Sequence, residues 1–169
     1  MNVVFYLSGI VAVLATALAV TRLNAVHALL YLILSLLAIA VAFFTLGAPL
    51  VAALEVVVYA GAIMVLFLFV VMMLNLGPRA SREMLLWAPG TWIGPAVLAA
   101  ILLAELVYVL TIGAGSAAAG KEVDPKTVSV ALYGPYLLGV ELASMLLLAG
   151  MVGAYHLGRR DPREHQEGQ

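Results

Sequence analysis

Three glutamates, Glu55, Glu105 and Glu141, stand inside stretches that are otherwise apolar enough to cross a membrane. A carboxylate in hydrocarbon is costly, so each is first read as a functional group, carrying a proton or pairing with a donor on a neighbouring helix. The competing reading is a protonated acid satisfied by a packed neighbour, or one that reaches outward to headgroups. For Glu105 and Glu141 the two readings weigh equally. Glu55 has more in its favour, because Tyr59 lies four residues on and shares its helix face. A carboxyl and a phenol on one face can share a water, which is the chemistry of proton or water handling.

The same stretch contains a soft spot. Val56, Val57 and Val58 are β-branched and stiff, and Tyr59-Ala60-Gly61-Ala62 then supplies small residues around a glycine. Glycine costs about 1 kcal/mol relative to alanine in a helix interior, and a span tolerates it for packing or for distortion. Close helix approach through small residues is one explanation. The other is a π-bulge, an inserted residue that commonly marks working sites. Making or removing such a bulge turns the downstream helix by about 100°, one residue of a 3.6-residue turn. Ile63, Leu66, Phe67 and Val70 would swing with it, and large apolar side chains moved in this way can wet or dry a narrow passage.

The elements that must hold these residues follow from composition. Hydrophobic residues make up 65% of the chain and charged residues 10%, with a mean hydropathy of +1.14. So little charge cannot cover a water-soluble domain of this length, and the chain is therefore an integral membrane protein. Five segments approach the roughly 20 residues needed to cross about 30 Å of hydrocarbon: about Val3 to Val20, Ala25 to Leu46, Leu50 to Leu76, within Trp92 to Ile112, and within Tyr133 to Leu157. Gly47-Ala48-Pro49 makes a tight reversal between the second and third, and Gly77-Pro78 stops the third. The uncharged first 21 residues lack a basic n-region and are expected to stay as a span. Residues 1–158 thus form one all-α, five-helix transmembrane domain, with 159–169 a short polar tail. The segment 113–132 reads as a loop, and no inverted repeat is visible.

Basic residues set the expected orientation. With the N-terminus outside, the inner side holds Arg22, Arg79, Arg82, Arg159, Arg160 and Arg163, while the outer side holds only Lys121 and Lys126. The positive-inside rule therefore predicts N-out and C-in. Trp87 and Trp92 fall near the inner interface, and Tyr133 and Tyr136 at the outer start of the fifth span. In this frame all three glutamates lie roughly 8–12 Å below the outer surface, counted at 1.5 Å per residue. No acid occupies the inner half of any span, so a route of carboxylates across the membrane would need partner chains. Gly139 and Ala143, and Gly150 and Ala154, are small pairs four apart that suit close helix contact.

Other chemistries find little support. The chain has no cysteine, so disulfides, iron–sulfur ligation and thiol chemistry are excluded on it. "GSAAAGKE", Gly115 to Glu122, imitates a P-loop, but Glu122 stands where a hydroxyl should hold magnesium and no strand precedes it, so it reads as a flexible linker. His27, His156 and His165 have no metal-ligand spacing and read as interfacial or solvated. A net charge of -1 gives no hint of nucleic acid as a partner.

From Glu55 to Asn75 the sequence "EVVVYAGAIMVLFLFVVMMLN" resembles the third membrane helix of the subunit J family of bacterial NADH:quinone oxidoreductase, respiratory complex I, whose mitochondrial counterpart is NADH dehydrogenase subunit 6. Length, five spans, orientation and "NAVHALLYLI" (Asn24 to Ile33) are similar as well, while spans four and five match mainly in character. The resemblance implies a multi-pass subunit of the bacterial inner membrane. It implies a place in the proton-pumping membrane arm, beside the small subunit K and the neighbours lettered H (quinone-site), A and N (antiporter-like). It implies a π-bulge at Tyr59-Ala60-Gly61 whose loss, with helix rotation, makes or breaks a water path toward a glutamate of subunit K. No catalytic residue, metal or cofactor is expected on this chain; FMN, iron–sulfur clusters and quinone belong to partner subunits. Two alternatives keep the same spans: an equivalent subunit of an Mrp-type antiporter or energy-converting hydrogenase or dehydrogenase, and a purely structural membrane subunit.

Overall fold

The computed structural model describes residues 2–74, 92–111 and 123–159. Among these every regular element is a helix: α1 (Asn2–Thr21), α2 (Ala25–Thr45), α3 (Pro49–Met73), α4 (Ile93–Thr111), α5 (Pro125–Leu132) and α6 (Leu137–Gly158). Five of them, α1, α2, α3, α4 and α6, are long and apolar enough to cross a membrane, and the chain is a multi-pass, all-α membrane protein. The expected spans are reproduced to within a few residues because an apolar run of bilayer length can satisfy its backbone only as a helix. Gly77-Pro78, Arg79, Arg82, Trp87, the Gly115–Glu122 stretch with Lys121, Arg160, Arg163 and His165 lie outside the described residues.

Local chemistry explains the turns. The Asn24 side chain accepts hydrogen bonds from the N–H groups of Val26 and His27, which caps the start of α2. At the other end Gly47 takes φ 80°. Its N–H donates to the Phe44 carbonyl, and the Ala48 N–H donates to that of Phe43. This pair of bonds is the Schellman closure, and the left-handed residue it needs is most readily glycine. Pro49 then opens α3, where a missing N–H costs nothing. The expected reversal at Gly47-Ala48-Pro49 is therefore a helix end and a helix start joined directly.

The contacts divide the chain into two compact units, one up to Asp124 and one from Pro125 onward. In the first, α1 and α2 pack as an antiparallel pair and α4 packs against both. Val11 and Ala15 from α1, Leu34 and Ala38 from α2, and Leu102 from α4 form its buried cluster. A polar tie crosses it: the hydroxyls of Thr16 and Ser35 are 2.7 Å apart, and Ser35 also donates to the Ala12 carbonyl at 3.1 Å. α3 packs along α2.

In the second unit the segment expected to be a loop contains α5. Pro125, with its φ already fixed near the helical value, stands at the first position of that helix. A turn through Gly134 joins α5 to α6, with the Tyr136 N–H donating to the Ala131 carbonyl. α6 is exposed along almost its whole length. A β-carbon added at Gly139 or Gly150 would meet nothing within 4 Å.

Candidate functional site

The distortion in α3 extends over nine residues. Residues Glu55–Ile63 form a continuous π-helical segment between the α-helical turns Pro49–Leu54 and Met64–Met73. The N–H of Met64 reaches back five residues to the carbonyl of Tyr59, and also contacts that of Gly61. Bonds to the fifth residue back widen the turn and leave room that α-helical packing would fill. Glycine matters at 61 because the Val56 carbonyl oxygen lies 3.1 Å from where its β-carbon would be.

The segment presents its expected residues in two groups. Tyr59 is 51% exposed and Glu55 is half-buried, and no hydrogen bond joins them. Downstream, Met64 is buried, with Leu68 and Val71 partly covered on the same face. Leu66, Phe67 and Val70 are exposed, and Ile63 is partly covered beside Met64. Ala60 and Gly61 sit within the π turn, both partly covered. Between α2, α3 and α4 runs an apolar groove of about 400 Å³, whose α3 wall is Pro49, Ala52, Ala53 and Val56. Along α3 the groove therefore reaches into the start of the π segment, at Val56.

The other two acids differ sharply. Glu105 on α4 is buried, and neither carboxyl oxygen has a hydrogen-bond partner among the described residues. Glu141 is exposed on α6. No group of three or more His, Asp or Glu among the described residues could hold a metal ion.

His27 departs from expectation. Its place near a span end predicts an interfacial or solvated ring, yet it is only 7% exposed and both ring nitrogens lack partners among the described residues. Its ring packs against Trp92 at 5.4 Å between centroids. One turn further along α2, Tyr31 is 1% exposed. Its ring lies 5.3 Å from the Arg22 guanidinium carbon, its hydroxyl 3.5 Å from an Arg22 nitrogen, and the same hydroxyl presses on Gly94. The four-residue spacing of His27, Tyr31 and Ser35 is the sequence signal for this polar face. His27 and Tyr31 meet the start of α4, more than sixty residues away, while Ser35 meets α1.

Five hydrophobic spans, one of them unwound into a π turn beside an intramembrane acid and a tyrosine, define a multi-pass membrane subunit with a distorted, polar-flanked helix. Residues 15–157 match the family NADH-ubiquinone/plastoquinone oxidoreductase chain 6, and the chain belongs to that family. It is 59% identical over 166 residues to NADH-quinone oxidoreductase subunit J of Pseudomonas aeruginosa, covering 97% of this chain and 100% of that one. The subunit J of Escherichia coli is 54% identical over 162 residues, covering 95% of this chain and 88% of that one. That of Buchnera aphidicola subsp. Schizaphis graminum is 46% identical over 160 residues, covering 94% and 98%.

Proposed function

We propose that this chain is a non-redox membrane-arm subunit of a proton-translocating NADH:quinone oxidoreductase in the bacterial inner membrane, and that α3 is its moving part. The N-terminus lies outside and the C-terminus inside, as the basic residues require. Redox cofactors sit in other subunits, and those lettered K, H, A and N are its neighbours. The single observation that supports the reading best is the nine-residue π segment Glu55–Ile63 at the position of Tyr59 and Gly61, in a chain whose relatives carry the subunit J name over nearly their full length.

The switch can be stated in residues. Straightening the π segment adds about 100° of winding, one residue's worth, to everything downstream. Each covered position then passes to the preceding residue. Ile63, Phe67 and Val70 take the places of Met64, Leu68 and Val71. A small methionine-lined contact becomes one that carries a phenylalanine ring, and the face exposed beside Tyr59 changes with it. Such an exchange of large apolar groups opens or dries a narrow water path.

Purification of the tagged chain from native membranes, with mass spectrometry of its companions, tests the assignment. Recovery with a flavin- and iron–sulfur-containing assembly that reduces quinone with NADH is the expected result. Recovery with antiporter subunits and no redox centres would transfer the same switch to another machine. Recovery alone would overturn the reading.

A further inference from the structure

The core of the first unit carries polar side chains at four levels that the α3 switch does not use. On α2, His27, Tyr31 and Ser35 follow one another at four-residue intervals, all at least nine-tenths buried. The α4 helix runs beside them in the same direction. His27 meets Trp92, Tyr31 meets Gly94, and Leu34 and Ala38 share a cluster with Leu102. One turn beyond Leu102 on the same buried face is Glu105, 5% exposed. α1 runs the opposite way, and one turn back from its cluster residue Val11 is Ser8, which is fully buried. Glu105 and Ser8 therefore stand at the same end of the three-helix core, and Arg22 and His27 at the other.

The three levels on α2 are regularly spaced. Four residues of helix advance about 6 Å, which separates His27 from Tyr31 and Tyr31 from Ser35. Leu102 clusters with Leu34 and Ala38, and Glu105 lies one turn further along α4, so it stands beyond Ser35 along the axis. A hydrogen bond spans about 2.8 Å between heavy atoms, so an axial step of about 6 Å on α2 is of the order that a water making two bonds covers. Tyr31 accepts from Arg22, Ser35 is satisfied by Thr16 and the Ala12 carbonyl, and Ser8 donates to the Phe5 carbonyl. The two ends of the series, the His27 nitrogens and the Glu105 oxygens, are the buried side-chain atoms left without partners among the described residues. Buried polar atoms in native structures are rarely left unpaired, and an unpaired one calls for a water or a ligand. No lysine or arginine lies within α1, α2 or α4 to neutralise Glu105 directly. Alanines at the packed positions, Ala15 and Ala38, leave the core little bulk to resist a transient water.

We propose that the α1–α2–α4 core is a second proton-conducting element of this chain, separate from the π segment, with Glu105 as its acid and His27 as its opposite terminus. The ligand is a proton carried on transient single waters. An excess proton arriving as hydronium at Ser35 passes to the Glu105 carboxylate and leaves a neutral water behind, and the carboxylic acid later gives that proton to a second water, which departs as hydronium; no electron moves. This rests on the reading of the chain as part of a proton-translocating complex.

The test uses assembled complex in native membrane vesicles, with protons moved per NADH oxidised as the readout. Glu105→Gln keeps shape but cannot exchange a proton, and Thr16→Val and Ser35→Ala remove the hydroxyls at the middle level. The expected result is a lower proton-to-NADH ratio in each assembled variant. An assembled variant with the wild-type ratio overturns the proposal. Failure of all three to assemble would make these side chains packing elements and overturn it as well. Wild-type vesicles that oxidise NADH without moving protons would instead sink the functional reading. A ratio lowered by Tyr59→Phe but not by Glu105→Gln would leave that reading standing and remove only the second route.

Discussion

The carbonyl oxygen of Val56 stands 3.1 Å from the position that a β-carbon on Gly61 would occupy. The two are five residues apart, the interval over which a π-helix makes its hydrogen bonds. The wide turn and the missing side chain are thus one feature. Alanine at 61 would push on this carbonyl, and alanine also favours the α-helix over glycine by about 1 kcal/mol. Gly61→Ala should therefore bias α3 toward the straight form and lower the coupling of NADH oxidation to proton movement. A structure of the assembled variant decides it: Ile63 and Phe67 should face α2 in place of Met64 and Leu68. A retained π segment with normal coupling would defeat the switch.

Tyr59 is half exposed, so its ring contributes little to packing within this chain. Tyr59→Phe removes the hydroxyl and keeps the ring. Assembly should be preserved while fewer protons move per electron, measured in vesicles with the same amount of complex. Loss of assembly with normal coupling in what remains would assign Tyr59 to subunit packing.

Gly94 has no room for a side chain, because the Tyr31 hydroxyl already fills the space. Gly94→Val should loosen the docking of α4 on α2 by about 1–3 kcal/mol, the usual cost of overpacking a core. Tyr31→Phe withdraws the hydroxyl and should restore part of that loss in the double variant. Thermal inactivation of the purified complex, compared across the two single variants and the double, reads this directly. Equal losses in the presence and absence of the hydroxyl would mean that the contact is not the cause.

Asn24 closes the first turn of α2 by accepting from Val26 and His27. Asn24→Ala should cost about 1 kcal/mol in helix-end stability. Faster backbone hydrogen exchange confined to the first turn of α2 is the expected signature. Unchanged exchange at Val26 and His27 would show that the cap contributes nothing measurable.

Much of this architecture could be read from residue order alone, since bilayer thickness imposes the length of each apolar run and backbone satisfaction imposes the helix. Gly47-Ala48-Pro49 and Asn24 announced their turn and cap because those roles depend on one residue's own backbone or side chain. The weak point at Tyr59-Ala60-Gly61 was visible too, as a glycine where alanine would be cheaper. Packing decided the rest. That the π turn runs from Glu55 to Ile63, and that Met64 is buried more fully than Ile63, depends on how α3 lies along α2. His27 reads as an ordinary residue near a span end, and Glu105 stands out as an acid inside a span, but only the docking of α4 on α1 and α2 buries both. Periodicity and hydropathy describe what one helix must hide from water or lipid. Which polar atoms end up hidden without a partner depends on contacts between helices distant in sequence, and those exist only in the folded chain.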